Sequence, residues 1–469
     1  MKENIIAKIH NSEKIYIFGA GGVADDVIRL LKYQLIKKTV QVVVTSIQNN
    51  PVIFNGFSVV EKKKIFADTS SKSALVIISL MSNTAKKIKK EFQENQFSNL
   101  VIADEIADGL YKEAWKKPIE NRKIVFSNFK GRGYGCNPKY ICSRLLPKDY
   151  DLVWAVQGDH GDCFPKGVRT VEYGSFEYYM ELATARVWVD NTHKNILTKK
   201  RSGQFYIQTW HGCGPLKKID YDATEKLTAS YLKTVDFDVN MVDLCVSGAQ
   251  FCSVQYRRAF RYNGKIIESG CPRNDIFWTN KDYKSMIASA DADKLWVLYA
   301  PTIREMESNV LDTEKVIECI EKKYNRECIL LIREHPQMKM KEGRYEFNGK
   351  VKDASDYPDV QELLAASDLL ITDYSSIMWD FSLQKKPVFL YHPDAELYKT
   401  ERGFYIPFSE MPYVEAFNLE DLLERIDTFN VVEYKKKLDI FLKKYVSYDD
   451  GKASEKIEKV IDNVIDANL

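Results

Sequence analysis

The sequence predicts an α/β protein in which two lobes of similar size face a cleft and a smaller α/β unit precedes them. Short apolar runs, typical of buried parallel strands, alternate with helical segments along the chain. A charged stretch at 279–294 interrupts the alternation and separates two series of strands. The 469 residues are enough for about three domains of ordinary size. We therefore expect domains at 1–115, 116–280 and 281–469.

The first unit begins with a strand-turn-helix pattern. "KIYIFGA" is typical of a buried strand, and the helix that follows starts in "GGVADDVIRLL". Gly19, Gly21 and Gly22 lie in the turn, where a nucleotide phosphate would approach the backbone. The second strand, "TVQVVVTS", ends without the acidic residue that a dinucleotide site requires. An empty structural turn and a nucleotide site both remain open.

Composition excludes several classes of protein. A formal net charge of +2 gives no reason to expect a nucleic-acid partner. No run approaches the ~18 apolar residues of a membrane span, and a signal peptide is not expected. Nine scattered cysteines without a C-x-x-C pair predict reduced thiols in a cytoplasmic protein. Lysine clusters, such as 435–437, are typical of solvated faces and, less often, of peripheral contact with an anionic membrane.

Polar and basic side chains follow four strands of the two lobes. Because ligands of open α/β sheets bind beyond the carboxyl ends of the strands, this pattern predicts an enzyme site in the cleft. The side chains concerned are His211 after "FYIQTW", Thr302 and Arg304 after "LWVLYAP", Arg333 and His335 after "CILLI", and Ser375 and Ser376 after "LLITDY".

The two serine residues allow two interpretations. They can cap the following helix, which is the commoner role of serine at such a position. Alternatively, the helix start and the two hydroxyl groups can bind an anion. Arg333 and Arg402 would add positive charge there, which suits a pyrophosphate.

The two strand-end histidines also allow two interpretations. His211 is flanked by glycine residues that let the backbone bend, and its imidazole, with a pKa near ~6.5, can take a proton from a hydroxyl. His335 precedes a proline, and is either a packed structural residue or a donor to a phosphoryl oxygen. No paired-histidine spacing or carboxylate run is present, so we expect neither a metal nor a cofactor.

Taken in order, these motifs resemble the CDP-glycerol glycerophosphotransferase family of teichoic-acid primases and polymerases. The shared stretches include "FSNFKGRGYGCNPKYI", "QTWHGCGPLKK", "ESGCPRNDIF", "LLIREHP" and "DLLITDYSSIMWDFSLQKKPVFLY", and they cover about 120–440. The resemblance implies a GT-B fold of two Rossmann-like lobes. It also implies transfer of a polyol phosphate, most simply glycerol phosphate, from a CDP-activated donor to a hydroxyl of a teichoic-acid-like or capsular polymer, with release of CMP.

By motif match, the resemblance also implies residue roles. His211 becomes the general base and His335 the group that steadies the donor phosphates. The implied phosphate contacts are Ser375, Ser376 and Arg402, with Arg273, Thr302, Arg304 and Arg333 nearby, and the implied acceptor-side residues are Lys217 and Asn137. The common family turn reads W-H-G-T-P-L-K, whereas Cys213 and Gly214 occupy it here with one extra residue, so the acceptor stays open.

The first ~115 residues resemble instead the Rossmann-like N-terminal domain of sugar O-acyltransferases, which binds nucleotide-sugar. No acyltransferase repeat follows, so acyl transfer is not expected. The alternatives are a CDP-ribitol-dependent ribitol phosphate transferase, a GT-B glycosyltransferase and a non-enzymatic nucleotide sensor. We expect a lipid-linked polyol-phosphate or glycan acceptor at the inner face of the plasma membrane. Primase or polymerase action and the oligomeric state stay open.

Overall fold

The computed structural model describes residues 5–158, 164–212, 217–302, 310–334, 345–394 and 403–467. Within them the chain forms three almost wholly parallel sheets, which confirms the predicted α/β class. The strands are β1 (Lys14–Phe18), β2 (Thr39–Val44), β3 (Ile53–Phe54), β4 (Phe57–Glu61), β5 (Leu75–Ile78), β6 (Leu100–Ile102), β7 (Glu120–Ser127), β8 (Asp151–Val156), β9 (Val168–Glu172), β10 (Ala185–Asp190), β11 (Phe205–Gln208), β12 (Leu244–Ser247), β13 (Lys265–Glu268), β14 (Leu295–Ala300), β15 (Cys328–Ile332), β16 (Val351–Asp353), β17 (Leu369–Thr372), β18 (Val388–Tyr391) and β19 (Val414–Ala416).

Helices cover both faces of these sheets, as parallel strands require. They are α1 (Ile5–Asn11), α2 (Gly22–Leu30), α3 (Lys32–Leu35), α4 (Lys62–Ala67), α5 (Ser82–Glu94), α6 (Ala103–Ala114), α7 (Cys136–Leu145), α8 (Phe176–Thr184), α9 (Ala229–Val239), α10 (Gln250–Ala259), α11 (Tyr283–Ala288), α12 (Thr313–Tyr324), α13 (Val360–Ala366), α14 (Ile377–Ser382), α15 (Leu419–Asp427), α16 (Val431–Tyr445) and α17 (Ala453–Asp466).

The first sheet, in the order β3-β4-β2-β1-β5-β6, belongs to the N-terminal domain. Its helix after the glycine turn ends at Leu30, because Leu31 leaves helical geometry (φ −98°, ψ 9°) before α3 begins. This domain shares a core with the next lobe: Ile17 of β1 and Trp188 of β10 are fully buried in one apolar cluster. The N-terminal domain is therefore packed into the body of the protein.

The second sheet, in the order β13-β12-β11-β10-β7-β8-β9, belongs to the middle lobe. Its register places Ser127 of β7, Asp190 of β10 and Gln208 of β11 in one row at the carboxyl edge. The loops that follow these three strands therefore start side by side, and His211 lies in one of them.

The third sheet, in the order β16-β15-β14-β17-β18-β19, belongs to the C-terminal lobe. The central strand β14 pairs with β15 on one side and with β17 on the other. Thr302, Arg333 and Asp373 follow these three neighbouring strands, so the predicted strand-end residues of this lobe lie at one edge.

Several elements join the two lobes. The final helix, α17, lies within the predicted 281–469 unit but packs on the middle lobe, where Ile461 is buried with Phe126. Glu458 of α17 pairs with Arg144 and Lys148 of that lobe. The C-terminal helix therefore packs against the middle lobe through apolar contacts and ion pairs.

Two further observations concern the described part of the chain. Six of its cysteines are free, but Cys271 is disulfide-bonded, which corrects the expectation of fully reduced thiols at that position. Among the described residues, no helix combines the length and the apolar character that crossing a bilayer requires.

Candidate active site

The turn that carries His211 follows β11 directly. We expected glycine residues to provide the bend, but within the described part of this turn, which ends at Gly212, the left-handed residue is Trp210, with φ 51°. A non-glycine residue in that conformation costs roughly 1–3 kcal/mol and persists only where its surroundings hold it. Here the backbone N–H of Trp210 donates to Oε1 of Gln208 at 2.9 Å.

Asn137 fixes the backbone of the same turn through hydrogen bonds. Its side chain is fully buried, and Nδ2 donates to the carbonyl oxygens of Thr209 and Trp210 at 3.2 and 3.0 Å. Its Oδ1 accepts from the backbone N–H of Arg273 at 3.1 Å. Asn137, which we predicted on the acceptor side, thus lies beneath the turn, where it fixes the backbone that carries His211.

The imidazole of His211 is half-buried with one nitrogen engaged. Nδ1 lies 2.7 Å from the carbonyl oxygen of Asn191. Because a carbonyl only accepts, Nδ1 carries the hydrogen and Nε2 keeps a lone pair. Burial lowers the pKa of His211 to about 4; the Asn191 hydrogen bond opposes this shift and the charge of Arg273 adds to it. At neutral pH the ring is uncharged and can accept a proton.

A second histidine, His193, supports the other side of this turn. It is buried, with Nδ1 2.8 Å from Asp238 and Nε2 3.0 Å from Asp220. Burial alone would lower its pKa, but hydrogen bonds to the two carboxylates outweigh burial and raise the pKa to about 9. Its ring packs 5.1 Å from that of Trp210, which itself stacks on His211 at 4.1 Å.

Arg273 links the His211 turn to the C-terminal lobe. The side chain is only 7% exposed. One amino group donates to the carbonyl oxygen of His211 at 2.8 Å, and the other lies 2.6 Å from Oδ2 of Asp380 in α14. Since its guanidinium is held by protein groups, Arg273 acts here as a buried tie between the lobes, where we had expected a phosphate contact.

Ser375 and Ser376 lie at the other end of that tie, just before α14. We predicted that they begin the helix, but α14 starts at Ile377, with Ser376 at the cap position and no side-chain capping bond. Both serine residues are partly exposed, and Ser375 Oγ is 3.5 Å from the N–H of Ile377. Ser375 Oγ therefore accepts from the first N–H of α14, whereas the Ser376 side chain makes no capping bond. Neither side chain points into a packed interior.

The neighbouring strand ends are joined by Asp373, which is buried. Its carboxylate accepts from the N–H of Thr302 at 2.8 Å and from Thr302 Oγ1 at 3.2 Å. Arg333 donates to the carbonyl oxygens of Ala354 and Tyr357 at 2.9 and 2.6 Å, and burial lowers its pKa. In this structure both predicted donor-side residues contact protein groups.

The backbone of Lys217 pairs with that of Phe404 in an isolated β-bridge between the lobes. This bridge and the Arg273–Asp380 pair both join the middle and C-terminal lobes. Three predicted site residues lie outside the described residues, namely His335, Arg304 and Arg402, and so does the Cys213-Gly214 pair.

The N-terminal glycine turn is open. Gly19 has φ 116°, and a Cβ there would lie 3.0 Å from the carbonyl oxygen of Ser79. A Cβ at Gly21 or Gly22 would meet nothing within 4 Å. The helix α2 begins at Gly22 without a side-chain cap, and the N–H groups of Ala24 and Asp25 donate to the carbonyl oxygen of Gly21.

Sequence reasoning missed several contributors, above all Asn191, His193 and Asp380. Asn191 follows "ARVWVD", a strand end of the kind that drew attention to His211, so this signal was present. Asp380 and the charged state of His193 depend on contacts between distant segments, for which the sequence carries no local signal.

Comparison with known proteins now identifies the family. Residues 110–463 match the family described as CDP-Glycerol:Poly(glycerophosphate) glycerophosphotransferase. The chain belongs to this family. It is 30% identical over 374 residues to the teichoic acid poly(glycerol phosphate) polymerase of Bacillus subtilis strain 168, covering 75% of this chain and 50% of that protein. It is 32% identical over 376 residues to the teichoic acid glycerol-phosphate transferase of Staphylococcus aureus, covering 75% and 95%.

A solved structure of this family also matches. The wall teichoic acid polymerase TagF aligns with a TM-score of 0.68 and 27% identity, covering 81% of this chain and 96% of that one. A variant of that polymerase was solved after soaking with CDPG. The predicted GT-B arrangement is confirmed by this likeness. The chain spans only about half the length of the Bacillus relative. Ribitol-phosphate enzymes, such as a primase at 30% identity, match as well.

Proposed function

We propose that this protein transfers glycerol phosphate from CDP-glycerol to a hydroxyl group of a teichoic-acid-like or capsular polymer and releases CMP. The observation that carries the proposal is the state of His211. Its imidazole is uncharged at neutral pH, its Nδ1 is engaged by Asn191, and its Nε2 keeps a lone pair. Such a group suits proton removal from an attacking hydroxyl. Family membership over 110–463 supports the choice of donor.

In the proposed reaction, the acceptor oxygen attacks the phosphorus that carries the glycerol. A new O–P bond forms, the anhydride bond to CMP breaks, and CMP leaves with the bonding electron pair. His211 takes the proton of the hydroxyl as charge leaves the acceptor oxygen. Arg273 fixes the position of the His211 backbone relative to α14, because it donates to the His211 carbonyl oxygen and pairs with Asp380.

We assign the donor phosphates to the C-terminal lobe. The partly exposed Ser375 and Ser376 support this, because their hydroxyl groups lie at a strand end and the Ser376 side chain makes no capping bond. His335, Arg402 and Arg304 keep their proposed roles from the family motifs. Thr302 and Arg333 would contribute indirectly, because their contacts with Asp373, Ala354 and Tyr357 position the loops at the strand ends.

Two other donors are the principal alternatives. CDP-ribitol is favoured by the ribitol-phosphate relatives, and a nucleotide-sugar by the GT-B fold alone. We place CDP-glycerol first because the relatives named for glycerol phosphate include the one at 32% identity.

The decisive experiment compares donors. The purified chain is incubated with a glycerol phosphate oligomer and with CDP-glycerol, CDP-ribitol or UDP-glucose, and nucleotide release is followed, with His211→Ala as the inactive control. We expect CMP from CDP-glycerol at least about tenfold faster than from CDP-ribitol, and no UDP. Failure to release CMP from either CDP-polyol across a panel of acceptors would overturn the proposal.

We further propose that the acceptor is lipid-linked and that the protein contacts the inner face of the plasma membrane. Helix α16 supports this, since it exposes Val432 and Ile440, which precede and follow the lysine residues 435–437. Co-sedimentation with phosphatidylglycerol vesicles that is unchanged by Lys435→Glu and Lys436→Glu would contradict it.

We also propose that the Gly19–Gly22 turn accepts a nucleotide phosphate. Unchanged binding of a UDP-sugar by the Gly21→Trp variant would contradict this proposal.

A further inference from the structure

Phe129 is an exposed aromatic residue beside the candidate base. Its side chain is 36% exposed, and its ring centroid lies 5.0 Å from that of His211. This ring thus lies partly in solvent beside an uncharged imidazole, at the end of a strand. Its chemistry, a flat apolar face next to a proton acceptor, suits a ligand that presents a C–H-rich face and a hydroxyl group.

The backbone at Phe129 is held in an unfavourable conformation. Phe129 (φ 43°) and Lys130 (φ 58°) are both left-handed, a region that non-glycine residues seldom adopt. Two hydrogen bonds hold them there: Phe129 N–H donates to Oδ1 of Asn191 at 2.7 Å, and Gln157 Nε2 donates to the Lys130 carbonyl oxygen at 2.6 Å. Such conformations persist only where the surroundings impose them, and they cluster at ligand-binding sites.

Asn191 orients both rings at once. Its side chain holds the backbone of Phe129, and its carbonyl oxygen accepts from Nδ1 of His211. The two rings are therefore set relative to each other by a single buried residue. A ligand that lies on the phenyl face would have its hydroxyl group placed with respect to His211.

The loop that carries Phe129 also packs tightly against Tyr173 at Gly131. A Cβ at Gly131 (φ 93°) would lie 2.7 Å from Cβ of Tyr173. Tyr173 is buried in the apolar cluster that the N-terminal domain and the middle lobe share. The loop therefore has no room to withdraw, and Phe129 and the exposed Lys130 stay at the surface.

We propose that Phe129 and Lys130 form a binding subsite for the end of a polyol-phosphate acceptor. The phenyl ring receives the C–H face of the terminal unit, and the ammonium group of Lys130 receives the neighbouring phosphate. The subsite brings the terminal hydroxyl group to His211. This inference rests on the proposed function for the nature of the acceptor.

The test measures acceptor binding without turnover. A synthetic glycerol phosphate oligomer is titrated calorimetrically into wild type, Phe129→Gly, Phe129→Asn, Lys130→Gln and the control Phe417→Ala. Glycine and asparagine tolerate the left-handed backbone while removing the ring. Phe417 is a matched exposed phenylalanine, 52% exposed, in the C-terminal lobe.

We expect wild type and Phe417→Ala to bind the oligomer equally and both Phe129 variants to bind about tenfold or more weakly. Lys130→Gln should weaken binding and reduce its salt dependence, while CDP-glycerol affinity and the thermal midpoint stay near wild type. Oligomer binding within twofold of wild type in both Phe129 variants would overturn the subsite, as would the absence of binding by wild type. Phe129-dependent binding by a protein that releases no CMP would contradict the proposed function and leave the subsite standing.

Discussion

His211 and His193 pack near the same indole ring, that of Trp210, yet the pKa values of their imidazoles are shifted in opposite directions. Their ring centroids lie 4.1 and 5.1 Å from it. The pKa of His211 is lowered to about 4, and that of His193 is raised to about 9. Burial lowers the pKa of both rings, so the difference comes from their partners. A single carbonyl leaves His211 uncharged, whereas two carboxylates make His193 a cation.

The comparison teaches that the two histidines divide the work of the site. His193, with Asp220 and Asp238, is a closed charged cluster with both ring nitrogens engaged. His211 keeps one nitrogen for chemistry, and the positive charge of His193 is among the causes that lower its pKa. One ring therefore supports the turn and biases the other toward its uncharged form.

The largest expected effect is on the rate of CMP release when His211 is replaced. His211→Ala removes the proposed proton acceptor, and CMP release should fall about 10²- to 10⁴-fold. His10→Ala, which changes an exposed histidine in α1, is the matched control. A His211→Ala enzyme that works at the wild-type rate with native-like stability would remove His211 from the role of base.

A large loss of stability is expected at His193. His193→Ala leaves Asp220 and Asp238 buried without their cation, which should lower the free energy of unfolding by about 3–5 kcal/mol. Urea denaturation of wild type, His193→Ala and His10→Ala measures the difference. If His193→Ala is as stable as His10→Ala, then His193 is not charged in the folded protein.

A smaller effect, on the order of 3 kcal/mol, is expected from pH, and it sharpens the same comparison. Folded His193 keeps its proton to about pH 9, whereas an unfolded histidine releases it near ~6.5. Its stabilisation is thus complete below ~6.5 and is lost as pH rises through about 9. The gap in unfolding free energy between wild type and His193→Ala should narrow over this window. A gap that stays constant would contradict the raised pKa.

The sequence predicted much of the fold because parallel strands buried on both faces form continuous apolar runs. "LWVLYAP", "CILLI" and "DLLIT" all became central strands of the third sheet. The same logic placed His211, Thr302 and Ser375 at strand ends. Element boundaries were less certain: the first long helix divides at Leu31, and α14 begins after both serine residues.

Residue roles were harder to predict than positions. The family resemblance implied that Arg273 lies near phosphate, and in the structure its guanidinium pairs with Asp380, more than a hundred residues away in the chain. Asn137, which was expected on the acceptor side, is buried against the His211 turn and donates to its backbone. Both outcomes depend on which distant segments the fold brings together, and local patterns carry no information on that.

Parallel α/β lobes, and chemistry-bearing residues after their strands, could be predicted from the sequence alone. Apolar periodicity and strand-end composition are local properties of the chain. Three features depend on the folded chain: which histidine is charged, where the strained residue of the turn lies, and the positioning of two rings by Asn191. The physical reason is that proton affinity and backbone strain are set by neighbours in space, which here come from separate strands and lobes.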